Sequence, residues 1–298
     1  MRTAQSAGDS DDRDRLAAIL LRSRPKRSAA NIEWLSEACE GVGLDRTERM
    51  VSPDTKSGGT HTSRTMMLTE LEHLLSFVGE GEPADAYKAA VIDFNALGKS
   101  THSGRTRAYR YLRELYVLDP AGLLFRSLRL LWDTDRDAHP LLALLASLAR
   151  DPAFRATAAP ILSAIEGAPC GWSDFATAVQ QRYPESYGDG IAAKIGRNAA
   201  SSWTQSGHLA GRNNKVRTRA NVTPAAVAFA LLIGHTEGLR GDGLFDTLWC
   251  KVLDREVSVL RDLALRASQR GLIEYRSGGG VTEIGFRMLL KPFEGEDA

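Results

Sequence analysis

The sequence predicts a mainly α protein: a helical bundle carrying two winged-helix-like modules with short β-hairpins. Three observations predict it. Apolar residues recur at helical spacing over most of the chain, as in Leu123, Leu124, Phe125, Leu128, Leu131 and Trp132. Glycine and proline punctuate these runs at lengths that suit helices. In two places a helical pattern is followed by glycine and then by two short runs joined by a turn, as a hairpin requires.

Residues 1–63 read as a flexible N-terminal extension. Residues 1–13 are small, polar and charged, short helices fit residues 14–22 and 31–40, and residues 50–63 are rich in Ser, Thr and Gly. A helical bundle over 64–170 follows. Its first helix carries Met67, Leu68, Leu71, Leu74 and Leu75 and stops at Gly79 and Gly81. A second spans residues 84–94, with Ala86, Ala89, Ala90 and Phe94 inward. Residues 95–103 form a turn in which Gly98 takes positive φ, and Ser103 caps a third helix that runs to Tyr116. Leu123–Trp132 is a buried helix, residues 133–139 are a charged break, and Pro140 sits in the first turn of the next helix. Asp151-Pro152 and Ala159-Pro160 punctuate what remains.

The third segment, 171–221, is predicted to meet nucleic acid. Gly171 breaks the chain, Ser173 or Asp174 caps a helix through Gln181, and Pro184 ends it. A second helix then places Ile191, Ile195, Ala199 and Trp203 on an apolar seam, with Lys194, Arg197, Asn198, Ser201 and Gln205 on a different face. Gly207 stops it. Leu209 and Val216 flank an Asn213-Asn214 turn, giving a hairpin with Arg212, Lys215, Arg217 and Arg219 along it. Helix, glycine, basic hairpin is the order of a winged-helix reading head. Lys194, Arg197, Asn198 and Ser201 are expected to face the groove, and the four hairpin cations to lie on phosphates.

Charge distribution supports this more than total charge does. The net charge is only +1, yet residues 191–219 carry six cations and no carboxylate. Residues 99–113 carry five, Lys99, Arg105, Arg107, Arg110 and Arg113, again without acid. The rest of the chain therefore carries −10. Lys99, Arg105, Arg107 and Arg110 are expected to form a second contact strip, in a loose helix-turn-helix pattern.

Residues 222–298 form the fourth segment. Thr223-Pro224 starts a helix, and Leu244, Leu248 and Val252 continue the helical periodicity. A long helix over residues 255–269 has Val257, Leu260, Leu263, Leu265 and Ala267 inward, and strands at 271–276 and 281–286 close the chain's second hairpin. This segment has 9 basic and 11 acidic residues. A wing bearing Glu274 and Glu283 suits phosphate poorly, so this module is expected to pack or to bind protein.

Nothing in the sequence points to catalysis, so no catalytic, cofactor or metal residue is expected. No two of the six histidines stand at i, i+3 or i, i+4, and none joins a Cys/His cluster. Gly98-Lys99-Ser100 resembles the end of a phosphate-binding loop, but the glycine required five residues earlier is Asp93. Three scattered cysteines suit a reducing cytoplasm and core packing rather than disulfides. No signal peptide is expected, and the longest apolar runs are too short to span a bilayer.

The stretch from Asn95-Ala-Leu-Gly-Lys-Ser100 through Leu112-Arg-Glu-Leu-Tyr116 resembles the Asn-containing turn and Arg-rich helix of BrxA-like proteins, components of bacteriophage-exclusion (BREX) defence systems. Ser173-Asp-Phe175 through Ser201-Ser-Trp-Thr-Gln-Ser-Gly-His-Leu209 resembles their winged-helix portion. The likeness covers residues 65 to about 220. It implies a helical fold with winged-helix parts, binding of double-stranded DNA, and work beside other defence-system proteins without catalysis. Two further classes suit the same residues: a protein-interaction scaffold subunit whose basic strips meet acidic partners, and a structured-RNA-binding protein. Base preference and oligomeric state are not legible.

Overall fold

The computed structural model describes residues 50–52 and 59–291. The short helices expected at 14–22 and 31–40 lie outside the described residues, as does Cys39. The described chain is mainly helical, with two small antiparallel strand pairs. None of its helices is long and apolar enough to cross a membrane.

After a 3-10 turn at Thr60–Thr62, three helices α1 (Leu68–Phe77), α2 (Ala84–Ile92) and α3 (His102–Tyr116) pack in succession. Gly98 takes φ +61 in the turn before α3, as expected. The cap is Thr101 rather than Ser103. Its hydroxyl accepts from the Gly104 N–H at 3.0 Å, which leaves Ser103 inside the first turn.

Helices α4 (Leu123–Trp132) and α5 (His139–Arg150) follow, and α5 is buried without interruption from Leu141 to Ala149. Two short helices, α6 (Pro152–Ala156) and α7 (Ala158–Ser163), lead to α8 (Trp172–Arg182) and α9 (Asp189–Gln205). Further on, α10 (Pro224–Thr236) is buried at every position from Pro224 to Gly234. A helix apolar on all sides belongs in an interior, and α10 accordingly packs against α4 and α5 at the centre. It starts as the sequence predicts: the Thr223 hydroxyl accepts from the Ala226 N–H, and Pro224 occupies a position whose N–H has no helical partner. Truncating Leu145 or Leu231 here to Ala would cost about 2–5 kcal/mol.

α8 and α9 approach closely because Gly196 lets them. A methyl group on Gly196 would come within 2.3 Å of the Trp172 carbonyl oxygen. That contact sets the rotation of α9 and corrects the expected seam. The buried face is Ala192, Ile195, Gly196, Ala199, Ala200 and Trp203, while Ile191 is 49% exposed. After Gly207 (φ +84) come β1 (Leu209–Ala210) and β2 (Val216–Arg217), paired antiparallel with Leu209 opposite Arg217. Residues 167–170 run along the other edge of β2. Gly167 N–H donates to Arg217 O, Arg217 N–H to Ala168 O, and Cys170 N–H to Lys215 O, at 2.9, 2.9 and 3.0 Å.

In the C-terminal part, the periodicity expected through Leu244 and Leu248 is interrupted. A 3-10 stretch, Gly241–Asp246, gives way to the one-turn α11 (Leu248–Lys251), capped by Thr247. Then come α12 (Val257–Gln269), β3 (Glu274–Gly278), β4 (Val281–Gly285) and α13 (Arg287–Leu290). The inner face of α12 is Leu260, Ala264 and Ala267; Val257 and Leu265, expected inside, are exposed. The free thiols of Cys170 and Cys250 are buried, and burial pushes them up to about 11 and about 12.

Candidate nucleic-acid interface

A helix can read DNA only with side chains that are not already engaged, so each basic residue of the two strips has to be placed. On α9, Lys194 is exposed with no carboxylate partner among the described residues. Arg197 is exposed and lies over the Trp172 ring, 5.5 Å from its centroid. Arg212 is exposed at the hairpin tip, beside Asn213 and Asn214. These three are open cations, two on the N-terminal half of α9 and one at the tip of the hairpin. Asp189, at the helix start, is held by Gln180 at 2.8 Å.

The C-terminal half of α9 is covered. Asn198 donates its side-chain N–H to the His61 carbonyl at 2.8 Å, and Gln205 Oε1 accepts from the Leu68 N–H at 3.1 Å. Ser201 is half-buried. The expectation that Asn198 faces a groove is therefore corrected: the segment around His61 lies on that face.

The hairpin cations divide in the same way. Arg217 is 2% exposed. Its guanidinium donates to the carbonyls of Ile161, His208 and Thr218 and pairs with Asp254 at 2.8 Å. It is a structural rivet, and its expected place on a phosphate is corrected. Lys215 donates to Thr204 Oγ1 at 2.7 Å and to the Gly211 carbonyl at 3.1 Å, and partial burial holds its ammonium below the usual lysine range. Arg219 is exposed but pairs with Glu166 at 3.1 Å.

On α3, Arg107 and Arg113 are exposed, and Arg110 is exposed with Glu114 at 3.6 Å. Arg105 turns inward and donates to the Ile92 carbonyl at 2.7 Å, where the last turn of α2 leaves carbonyls free. Lys99 pairs with Glu70 at 3.1 Å. Arg105 is corrected from a contact residue to a tie within the bundle, while Lys99 stays partly exposed in its ion pair.

The sequence reading missed a cation that stands against α3. Arg64 is exposed and stacks over Tyr111 at 5.6 Å from the centroid, and Arg110 stacks at 4.7 Å on the same ring. A hydrogen bond to Ser63 pulls the Tyr111 phenol below its usual range; partial burial opposes this, and the Arg110 guanidinium adds to it. The segment touching Asn198 at His61 thus touches α3 three residues later. No local pattern marks Arg64, which sits in a stretch that reads as loop.

The same segment holds a triad-like cluster. His61 Nδ1 meets Asp151 Oδ2 and His61 Nε2 meets Ser202 Oγ, each at 2.9 Å, with the ring stacked on Phe154 at 3.9 Å. This is the nucleophile, base and orienting-acid arrangement of serine hydrolases. Here, however, Ser202 Oγ also accepts from the Met66 N–H at 2.9 Å and lies 3.0 Å from the Asn198 carbonyl. His61 and Ser202 are fully buried. A nucleophile needs an open approach for its substrate, and this hydroxyl has none. The cluster works as a clasp of α9 to residues 59–68. Burial alone would push the Asp151 carboxyl up, but the His61 ring beside it and the N–H donors of His61 and Phe154 hold it below its usual range. Among the described residues no group of three or more His, Cys, Asp or Glu is placed to hold a metal ion.

No family model matches the chain, and no curated protein matches it.

Proposed function

We propose that the chain binds double-stranded DNA without catalysing a reaction on it, through α9, the β1–β2 hairpin and the outer face of α3. The observation that carries this reading is the set of exposed cations Lys194, Arg197 and Arg212, with Arg64 and Arg107 exposed on residues 59–64 and α3. Exposed cations without paired carboxylates favour the phosphate backbone because they neutralise it and release its counterions. The order of elements supports the reading. Helix α7, the run 167–170, α8, α9, β1 and β2, with β2 central, follow the helix, strand, helix, helix and hairpin order of a winged helix. In that fold the second of the paired helices enters the major groove. The BREX-type defence role rests on the resemblance of residues 65–220 alone, and places the chain beside other subunits.

The test is a competition. A labelled duplex of about 30 base pairs is bound by the full chain and displaced by unlabelled duplex, single strand or folded RNA. Duplex should compete best. No binding, or better competition by RNA, would contradict the proposal.

A protein-scaffold role is the second reading, and one observation favours it. Leu162, Ile165 and Trp172 are 42%, 78% and 46% exposed at the end of α7, in the link that follows it and at the start of α8. Exposed apolar groups grouped this way suit a protein partner. Ile165→Asp should then weaken complex formation and leave duplex affinity unchanged.

A further inference from the structure

Trp172, the first residue of α8, is exposed, whereas Trp132, Trp203 and Trp249 are buried. The indole N–H groups of Trp203 and Trp249 donate to Thr157 Oγ1 and Glu237 Oε2, at 2.9 and 2.6 Å. What Trp172 touches is a cation. The guanidinium carbon of Arg197 lies 5.5 Å from the centroid of its ring.

Both side chains start from backbone that is fixed. Gly196, the residue before Arg197, stands so close to the Trp172 carbonyl oxygen that a methyl group would come within 2.3 Å of it. The Gly171 N–H donates to Asp174 Oδ2 at 2.7 Å and closes the first turn of α8, which also occupies that carboxylate. Neighbouring residues of α9 lean different ways: Asn198 is bonded to the His61 carbonyl, and Arg197 lies on α8.

Stacking uses the flat face of a guanidinium and leaves its N–H edge free, whereas an ion pair uses the edge itself. Arg110 and Arg261 also lie over rings, those of Tyr111 and Phe245, but each faces a carboxylate, Glu114 at 3.6 Å and Asp242 at 3.1 Å. Arg197 has the ring and, among the described residues, no carboxylate. A guanidinium ordered in this way before its ligand arrives loses less freedom on binding. Its paired N–H groups match two oxygens of a phosphate. In a helix-turn-helix head the helix before the reading helix crosses the sugar-phosphate backbone, and α8 holds that place in the chain.

We infer that Trp172 is a positioning residue of the DNA-binding surface: its ring holds the Arg197 guanidinium edge-on to a backbone phosphate, on the side of α9 that faces α8. The inference rests on the duplex-binding reading, and it moves Trp172 from the apolar group of Leu162 and Ile165 to the DNA face.

The test measures binding of the full chain to a duplex of about 30 base pairs at several salt concentrations. Trp172→Leu, which removes the ring, should weaken binding about two- to fivefold. Its logarithmic salt slope should stay that of the unaltered chain, because the Arg197 charge is still present, whereas Arg197→Ala should lower the slope by about 0.9. Trp172→Phe, which keeps a ring face, should lose less than Trp172→Leu. In the Arg197→Ala background, Trp172→Leu should cost nothing further. The loss should be equal on A·T-rich and G·C-rich duplexes, as a backbone contact requires. Ile165→Asp is the matched control and should bind like the unaltered chain. Unchanged affinity in Trp172→Leu, or the same loss with and without Arg197, would overturn the inference and leave the duplex-binding reading standing. A loss confined to G·C-rich duplexes would put a guanine edge in place of the phosphate and overturn it as well. An unaltered chain that binds no duplex removes the reading itself, and the inference with it, before Trp172 is changed.

Discussion

Two regions of this protein, residues 158–217 and 224–285, run through a similar order of helices and end in a hairpin, but their charged groups meet different things. In the first, Lys194, Arg197 and Arg212 face solvent without carboxylate partners among the described residues. In the second, Arg261 pairs with Asp242 at 3.1 Å, Arg287 with Glu274 at 3.8 Å, and Arg270 with Asp135 at 3.9 Å. Arg276 stands directly opposite Glu283 on its hairpin. The outer face of α12 mixes Arg261, Asp262, Leu265 and Arg266, all exposed. Similar topology therefore yields one surface suited to phosphates and one that is charge-balanced and partly apolar. The difference lies in pairing, which neither the element order nor a count of arginines reveals.

The regions also share a joint, and breaking it has the largest expected effect. Arg217 leaves the first hairpin to pair with Asp254 of the second region. Arg217→Ala should lower the free energy of unfolding by about 3–5 kcal/mol, because Asp254 and three carbonyls lose a buried partner. Arg212→Ala, five residues away on the same hairpin, should stay within about 0.5 kcal/mol. Urea denaturation of both variants separates the structural arginine from the exposed one. Equal losses would contradict the division.

The second contact across the joint is pH-dependent. His208 donates from Nε2 to the Val252 carbonyl at 2.7 Å, and its Nδ1 lies 2.8 Å from the Ser206 hydroxyl. Burial is the main cause that pushes its pKa down to about 4. The folded state keeps the ring neutral where the unfolded chain, with a pKa near 6.5, takes up a proton. This contribution is intact above pH ~6.5 and is lost as pH falls toward about 4, a loss of roughly 3 kcal/mol. Asp151, whose pKa is depressed, adds a further loss at lower pH, as the medium falls through its folded value. Denaturation across this range should show a slope that His208→Gln flattens. An unchanged slope would remove His208 as its cause.

Within the first region, Gly196→Ala should cost about 1–3 kcal/mol by forcing α8 and α9 apart. Duplex affinity should weaken in parallel if α8 positions α9. The smallest effect sharpens the boundary between exposed and covered residues on α9. Asn198→Ala should cost about 1 kcal/mol of stability for its lost bond to His61 and leave duplex affinity unchanged. A clear loss of affinity would return Asn198 to the groove face.

Much of the fold was legible because local chemistry determines it. Leu123–Trp132, the Thr223-Pro224 start of α10 and both hairpins follow from apolar spacing, caps and turn residues. On α9, Ile195, Ala199 and Trp203 are buried as expected, but one edge of the seam was misread because Ala192, Gly196 and Ala200, which complete the buried face, are small residues that an apolar pattern passes over. Exposed Ile191 looked like core for the same reason. The site was less legible. A basic side chain looks the same in sequence whether it meets solvent, as Arg212 does, or is buried against a carboxylate 37 residues away, as Arg217 is. The clasp of His61, Asp151 and Ser202 joins residues 90 and 141 positions apart, with no local signal.

The most direct test of the account is the salt dependence of duplex binding in two matched variants. One changes Lys194, Arg197 and Arg212 together to Ala; the other changes Arg261, Arg266 and Arg276. The account predicts that the first loses affinity and that its logarithmic salt slope shrinks by about 0.9 for each phosphate contact removed. The second should keep the slope of the unaltered chain. A reversed result, or equal slopes in all three proteins, would contradict the assignment of the DNA-binding surface to the first region.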